Sequence, residues 1–159
     1  MSDTTTDTPR SFGPAEIESM IPHRPPMRLL DEVVELTSET IHARKTFSAG
    51  DYFVQGHFPG YALVPGVIQC ECCLQAGAIL LRNHTPDVGE FVPVVTRMDG
   101  VKFKNMVRPG DTVDVHVTLK ERVSTAFFMT GKMLLGGKTT VRLQFACSIT
   151  SPRATETAS

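Results

Sequence analysis

The feature of this sequence that most constrains its fold is a long apolar segment that begins at Pro65 and ends near Arg82. Its length suits a helix, and apolar side chains fall on nearly every side of that helix. A helix that is hydrophobic all round must be enclosed, because no face of it suits contact with water. The rest of the chain is therefore expected to fold around this segment.

The second half of the chain changes to a period of two, which is typical of strands with one face on the core and one in water. Apolar residues alternate with polar ones over residues 113–119 and again over residues 141–149. Residues 126–135 fill the space between these runs, and Gly136-Gly137 is predicted to be a hairpin turn.

The first half of the chain supplies a short helix and two candidate strands. A helix is predicted over Pro14–Met20, where proline occupies the start and acidic residues follow. Strands are predicted over Arg28–Leu36 and Ile41–Phe47, joined by a polar turn. The order is helix, two strands, a long helix, then three or four antiparallel strands. This order predicts an α+β layering, with one sheet curled around one central helix.

Length and composition favour a single globular domain. The chain has 159 residues, close to the roughly 150 residues expected per domain. Its net charge of −1 argues against nucleic acid or a membrane surface as a partner bound through bulk charge. No window approaches the roughly 18 apolar residues of a membrane span. We expect the domain to cover residues 13–150, with disordered tails at residues 1–12 and 151–159.

The four cysteines are predicted to be free thiols. The N-terminus has neither a basic start nor an apolar run, so we expect no secretory signal and a cytoplasmic, reducing location. Residues 70–73 contain a CxxC, but a redox pair would be expected at a helix start, and no second pair exists to complete a zinc site. We interpret these residues as small buried hydrophobes and expect no metal. They are Cys70, Cys72, Cys73 and Cys147.

Glu71 places a carboxylate inside the apolar helix. Gln75 follows one turn later, so the two side chains share a face. A carboxylate among apolar neighbours is unfavourable unless it is paired, hydrogen-bonded or protonated. Glu71 could therefore hold a proton and act as a general acid. The alternative is that it faces solvent or a subunit interface and forms a structural ion pair.

Two further groups come just before this helix. His57 lies in the turn sequence Gly-His-Phe-Pro-Gly, and Pro65-Gly66 opens the helix. An unshielded N–H at a helix N-terminus suits a carbonyl oxygen that is gaining negative charge. Each feature alone has an ordinary structural explanation, as a locally satisfied histidine or a common helix start. Together with Glu71, they are the parts of a site that removes a proton next to a carbonyl.

Three separated motifs resemble those of one family. GHFPG followed by PGV and E-x-x-x-Q, at residues 56–75, is similar to the signature of the FabZ-type (3R)-hydroxyacyl-[acyl carrier protein] dehydratases. Residues 21–31 resemble the family's L-P-H-R…V-D segment, and residues 103–111 resemble its F-K-x-x-V-x-P-G-D segment. The resemblance extends from about Pro14 to Ile149. It implies the hot-dog fold, a curved antiparallel sheet wrapped around a long central helix.

The resemblance implies a role for each candidate site residue. His57 would take the proton from carbon 2 of the acyl thioester, and Glu71 would protonate the departing 3-hydroxyl. The backbone N–H of Gly66 would polarise the thioester carbonyl, and Gln75 would orient Glu71. Three residues next to His57 and Gly66 in the sequence would support these groups, namely Phe58, Pro65 and Val67.

The resemblance also implies partners. The substrate would be carried on the phosphopantetheine of an acyl carrier protein, with no metal or redox cofactor. The carrier would meet Lys102, Lys104 and Arg108. In the implied homodimer, alone or as a trimer of dimers, the active sites are shared and His57 faces Glu71 of the partner subunit. His23 and Arg24 would brace the dimer or the entrance of the site.

The implied reaction is the reversible dehydration of a (3R)-3-hydroxyacyl thioester to the trans-2-enoyl thioester, in fatty-acid or related acyl-chain biosynthesis. Gln69 and Arg97 depart from the family's pattern and are expected to alter the acyl channel. The alternatives are a hot-dog enoyl-CoA hydratase, an acyl thioesterase, which would not retain the thioester, and a non-catalytic acyl-binding subunit. The presence of both His57 and Glu71 argues against the last of these.

Overall fold

The computed structural model of the chain describes residues 8–85 and 92–150. Its elements in chain order are β1 (Arg10–Phe12), α1 (Pro14–Met20), β2 (Glu32–Leu36), β3 (Thr40–Thr46), α2 (Gly66–Leu81), a short 3-10 helix (Arg82–His84), β4 (Val92–Phe103), β5 (Thr112–Val123), β6 (Ala126–Leu135) and β7 (Lys138–Thr150). In these two ranges the strands form one seven-stranded antiparallel sheet in the spatial order β1-β2-β3-β5-β6-β7-β4.

The central helix α2 is covered by one face of this sheet. It packs against β3, β4, β5, β6 and β7, and most of its residues are buried. The predicted α+β layering is therefore confirmed. The expected enclosure is incomplete in the single chain, because a stripe along α2 stays open. This stripe contains Val67, near the N-terminal end of α2, which is 72% exposed, and Glu71 and Leu74, which are half-buried.

Two glycines allow α2 to lie unusually close to the sheet. A Cβ atom at Gly77 would lie 2.8 Å from two ring atoms of Phe145 and 3.2 Å from the sulfur of Met129. Across the same contact, a Cβ atom at Gly131 on β6 would lie 3.1 Å from the Cβ of Cys73. Both positions therefore need the smallest residue because the opposing side chains occupy the space.

We expect Gly77→Ala to destabilise the protein. Phe145 and Met129 are buried and have little room to withdraw. Overpacking of a core destabilises by about 1–3 kcal/mol, and the better helix propensity of alanine offsets at most about 1 kcal/mol. Urea unfolding should therefore give a free energy of unfolding that is lower by about 1–2 kcal/mol.

The matched control is Gly50→Ala. The nearest atom to its added methyl group is the Ser48 hydroxyl oxygen at 3.6 Å, an ordinary contact. We expect this variant to unfold like the wild type. Equal stability of the two variants would contradict the close helix–sheet contact at Gly77.

The N-terminal end of the described chain differs from the prediction. Residues 10–12 were assigned to a disordered tail, which is wrong for these three residues because they form β1. Arg10 pairs with Leu36 and Phe12 with Val33 on the open edge of β2. Phe12 also packs against the core, which gives this short strand its anchor. Residues 1–7 and 151–159 of the predicted tails lie outside the described residues.

Strand β2 begins at Glu32 and not at Arg28 as predicted. The backbone N–H groups just before it have other partners: that of Arg28 donates to the Arg24 carbonyl, and that of Leu29 donates to the Gln75 side chain. Because these donors are already used, the segment from Arg28 cannot extend the ladder. The other predicted elements, including α1, β3, α2 and the strands of the second half, are confirmed to within a few residues.

The long strand β4 had no assigned position in the sequence prediction. It pairs only with β7 among the described strands, and it lies at the edge of the sheet. Two irregularities in register, near Val95 and between Asp99 and Lys102, interrupt its alternation. Gly100, which lies inside the second irregularity, has φ +57°. These breaks remove the period of two that identifies the other strands from the sequence.

Candidate active site

The turn that carries His57 is held by unusual backbone angles. Gly56 and Gly60 have φ near +80°, and Phe58 has φ +58°, a conformation that side chains rarely adopt. The His57 N–H donates to the Val54 carbonyl at 3.1 Å, and the ring of Phe58 lies 4.3 Å from the His57 ring. Strain of this kind persists only where the surroundings hold it, and it is enriched at functional sites.

One ring nitrogen of His57 is used to fix the imidazole. Its Nδ1 lies 3.0 Å from the carbonyl oxygen of Leu63. A carbonyl oxygen can only accept, so Nδ1 donates the hydrogen bond and the neutral ring has its lone pair on Nε2. The ring is thus held in the tautomer that leaves Nε2 able to take a proton.

His57 and Gly66 line the same pocket. The pocket has a volume of about 350 Å³ and is mostly apolar. Gly66 is the first residue of α2, and Pro65 precedes it as the N-cap and not as the first helical residue that was expected. The helix offers no acceptor for the Gly66 N–H. The lining residues are His57, Leu63, Val64, Gly66, Val67, Gln69, Phe103, Asn105, Met106 and Val107.

Gln69 brings an uncommon polar group to this pocket. Its side chain is 4% exposed, and its Nε2 donates only a long hydrogen bond, 3.5 Å, to the Val64 carbonyl. Its Oε1 has no hydrogen-bond partner among the described residues. Such a buried acceptor is unfavourable in an apolar site, so Gln69 presents an unused carbonyl oxygen beside the candidate catalytic groups. Arg97, the other residue that departs from the family's pattern, does not line this pocket and forms an ion pair with Asp99 at 2.6 Å.

Glu71 lies on a face of α2 away from the His57 pocket, and Gln75 on the same face holds it by a hydrogen bond. The Gln75 side chain is 1% exposed and donates from Nε2 to Glu71 at 3.0 Å and to the Met27 carbonyl at 2.8 Å. Its Oε1 accepts from the Leu29 N–H at 3.0 Å. Gln75 therefore fixes Glu71 and ties α2 to the segment before β2 through one fully used amide.

His23 is the second neighbour of Glu71. Its Nε2 lies 3.7 Å from the Glu71 carboxylate, and its buried Nδ1 has no partner among the described residues. The sequence predicts only that His23 braces the dimer or the entrance of the site, so its proximity to Glu71 is an additional finding. In the sequence, the only indication of a role for His23 is its place in the P-H-R motif shared with the family. The number of residues between His23 and Glu71 does not by itself indicate that the two side chains are close in the fold.

Within one chain, Glu71 does not line the pocket of His57 and Gly66. Glu71 lies five positions after Gly66 in the helix, which corresponds to a rotation of about 140° and a rise of about 7.5 Å along the axis. The single chain therefore presents two separate groups of candidate residues: the His57 pocket at the start of α2, and Glu71 with Gln75 and His23 on the open stripe.

The three predicted carrier-binding residues do not form one cluster. The Arg108 guanidinium contacts the hydroxyl of Tyr61 at 3.1 Å and lies over its ring, close to the His57 pocket. Lys104 is exposed next to this region. Lys102 instead points to the opposite, outer face of the sheet, where it is paired in register with Arg142.

The four cysteines are free and buried, as predicted. Burial raises the pKa of Cys147 to about 11, and burial also raises the pKa values of Cys70, Cys72 and Cys73. Thiols of this kind are poor nucleophiles at neutral pH. Over residues 8–85 and 92–150, no group of three or more His, Cys, Asp and Glu side chains could hold a metal ion, and no helix is long and apolar enough to cross a membrane.

The sheet, the helix and the pocket define a hot-dog protein with a candidate acid–base site. The dehydratase heterocomplex ApeI:P from Xenorhabdus doucetiae has the same fold, with a TM-score of 0.73 over 88% of this chain and 93% of that chain, at 19% identity. The predicted hot-dog fold is thereby confirmed.

Sequence comparison identifies the family. The FabA-like domain matches residues 21–144, and the chain belongs to that family. A 3-hydroxyacyl-[acyl-carrier-protein] dehydratase FabZ of Koribacter versatilis is 37% identical over 84% of this chain and 86% of that protein. The FabZ of Oenococcus oeni is 44% identical over 70% of this chain and 82% of that protein. The resemblance stated from the motifs is therefore confirmed.

We expect Gln75→Met to lower stability while preserving side-chain volume. The substitution leaves the buried Leu29 N–H and the partly buried Met27 carbonyl without the side-chain partners described above. Each unsatisfied buried group costs about 1–3 kcal/mol, so urea unfolding should show a clear loss. Gln55→Met is the control, because Gln55 is exposed and donates only to the Gly50 carbonyl. An unchanged midpoint for Gln75→Met would refute this structural role.

Proposed function

We propose that the chain is a hydro-lyase that reversibly dehydrates a (3R)-3-hydroxyacyl thioester on acyl carrier protein to the trans-2-enoyl thioester, in the biosynthesis of fatty acids or related acyl chains. Membership of the FabA-like family and the FabZ relatives support this assignment. The structural observation that carries it is the free Nε2 of His57 in the same pocket as the Gly66 N–H.

The proposed chemistry uses three groups of the chain. His57 Nε2 removes a proton from carbon 2, while the Gly66 N–H stabilises the negative charge that develops on the thioester oxygen. A double bond then forms between carbons 2 and 3, the bond from carbon 3 to oxygen breaks, and Glu71 protonates the departing hydroxyl to give water. Elimination of water changes no net oxidation state, so the proposal includes no redox cofactor.

Glu71 is proposed to act in the site of a second subunit. In one chain it is absent from the lining of the His57 pocket, although the mechanism needs both groups on one substrate. A two-fold dimer could place Glu71 of the partner subunit opposite His57, with Gln75 and His23 setting the carboxylate's position. Phe58, Pro65 and Val67 support the proposed pocket by shaping the turn, the helix start and its wall.

The exposed surface of the chain supports such a dimer. Strand β4 lies at the sheet edge and carries exposed apolar side chains on both faces, among them Met98 and Phe103. An uncovered apolar edge strand is a liability for a monomer and a natural place for strand pairing. The proposal also includes the assembly of three such dimers into a hexamer and a cytoplasmic location for the protein.

The proposed partner is an acyl carrier protein that delivers the substrate on its phosphopantetheine arm. Arg108 and Lys104 lie near the His57 pocket and are the chain's best candidates for this contact. Lys102, on the other face of the sheet, is poorly placed to act with them. Complementary charge of this kind mainly increases the rate of encounter.

Activity tests the proposed roles directly. We expect His57→Ala and Glu71→Gln each to lower kcat for hydration of an enoyl thioester by roughly 100- to 10,000-fold, because each removes one proton-transfer group. Circular dichroism and light scattering verify that each variant is folded and has the wild-type oligomeric state. Near-wild-type turnover by either folded variant would overturn its role, and loss of the thioester to free acid would favour a thioesterase.

Coexpression of these two variants tests whether the site is shared. A heterodimer of His57→Ala with Glu71→Gln restores one complete site and leaves the other without both groups. Random pairing of two-fold dimers should therefore restore about one quarter of wild-type activity. If the mixture is no more active than the separate variants, the two residues do not act across subunits.

Light scattering tests the proposed dimer edge. We expect Met98→Lys to shift the protein toward monomer, because Met98 lies mid-way along β4 and a buried lysine would lose its hydration. Val123→Lys adds the same charge at another exposed apolar position, at the end of β5, and should leave the mass unchanged. A monomeric wild type, or equal effects of the two variants, would contradict a dimer through β4.

A further inference from the structure

The outer face of the sheet, opposite α2, carries a line of basic residues that we name the basic row. In the strand registers, His42 on β3 lies opposite His116 on β5, and His116 lies opposite Lys132 on β6. Lys132 lies opposite Arg142 on β7, and Arg142 lies opposite Lys102 on β4. Directly opposed residues share a face, so the basic row crosses five adjacent strands.

Within the described part of the chain, the lysines and the arginine of the basic row have no acidic partner, whereas its first member, His42, is paired with Asp114 and lies opposite Glu35 on β2. Among the described residues, no carboxylate lies within ion-pairing distance of Lys102, Lys132 or Arg142. The nearby Asp114 is already bound by His42 at 2.7 Å and by Arg44 at 3.2 Å. Like charges directly opposite each other destabilise a sheet. An anion bound across Lys102, Lys132 and Arg142 would relieve this repulsion.

A groove of about 550 Å³ follows the basic row from β5 to β4. Its volume falls within the roughly 300–1,000 Å³ typical of small-molecule sites. Lys120 adds a fourth full positive charge, and the Thr118 and Thr130 hydroxyls and the Gln144 amide add neutral donors. No carboxylate and no Phe, Tyr or Trp side chain among the described residues lines this groove.

The environment of His116 agrees with a positive field in the groove. Its pKa is lowered from the ordinary value first by burial, then by the positive charges of His42 on β3 and Lys132 on β6. Asp114, on the same strand, acts in the opposite direction but does not outweigh them. The His42 and His116 rings stack at 4.2 Å, which holds the imidazole of His116 at the end of the groove.

We propose that this groove is a binding site for a small organic polyphosphate, an anion that carries two or three adjacent phosphate groups. Neighbouring strands are about 4.8 Å apart, so the basic row offers closely spaced charges to a short chain of phosphates. Arginine and lysine with hydroxyl and amide donors are the groups that bind phosphate oxygens. An acidic protein segment fits less well, because protein contacts depend on clusters of buried aromatic or apolar anchors, and Leu143 is the one large aliphatic residue among the described lining residues.

This site is separate from the proposed dehydratase site. The basic row points outward from β5, β6 and β7, whereas α2 and its Gly66 N–H lie against the inward face of the same strands. Binding at the groove therefore requires none of His57, Gly66 or Glu71. The polyphosphate proposal can fail while the dehydratase proposal stands, and the reverse also holds.

Isothermal titration of the full chain with inorganic triphosphate and with ATP tests the proposal, at low and at physiological ionic strength. We expect saturable binding by the wild type and at least about tenfold weaker binding by Lys132→Gln/Arg142→Gln, since two charge-assisted contacts are lost. The matched control, Arg122→Gln/Lys138→Gln, removes the same charge from β5 and β7 outside the groove and should bind within about twofold of the wild type.

Proton NMR of His116, assigned with His116→Gln, gives a second readout. A bound anion favours the charged imidazole, so triphosphate should raise the His116 pKa in the wild type and not in the double variant. The proposal is overturned if the wild type shows no saturable binding, if the groove and control variants weaken binding equally, or if an oligoglutamate peptide binds more tightly than triphosphate. Thermal unfolding should show the groove variant at least as stable as the wild type, because it removes opposed like charges.

Discussion

An apolar helix at the centre of a chain is stable in water only when other elements cover it, and the antiparallel sheet gives α2 this cover on one side. The contact is close because Gly77 and Gly131 leave the space that Phe145 and Cys73 occupy. The open side of α2 follows from the same arrangement, since a single sheet cannot wrap completely around a helix. The exposed stripe at Val67 and the half-buried Glu71 are therefore products of the fold's own geometry.

The candidate site uses the two places where this cover is missing. The start of α2 leaves the Gly66 N–H available at the pocket that His57 enters from a strained turn. The open stripe leaves Glu71 accessible, although Gln75 is fully buried beneath it and satisfies three hydrogen-bonding groups. Gln75 thus gives the partly buried Glu71 carboxylate a rigid support, which suits the acid role proposed for it.

Periodicity predicted the elements whose surroundings are uniform along their length. The strands β5, β6 and β7 each keep one face on the core, so their patterns are regular, and α2 is buried along most of its length, so it is apolar on nearly every side. The prediction was wrong or silent where tertiary contacts decide. Phe12 stabilises β1 from a segment that resembles a tail, and the Gln75 amide takes the Leu29 N–H and so delays the start of β2. The approach of His23 to Glu71 likewise depends on folding across the chain.

Side chains alternate between the two faces of the sheet along β5, β6 and β7. Substitutions at inward-facing positions and substitutions at outward-facing positions therefore have separate effects. Val115 and Val117 point toward α2, whereas His116 between them points outward, so a substitution at one position leaves the packing of the next unaltered. Drift on the outward positions can therefore proceed without disturbing the helix or the pocket at its start. One sheet can in this way combine the pocket chemistry on its concave side with an independent surface chemistry on its convex side.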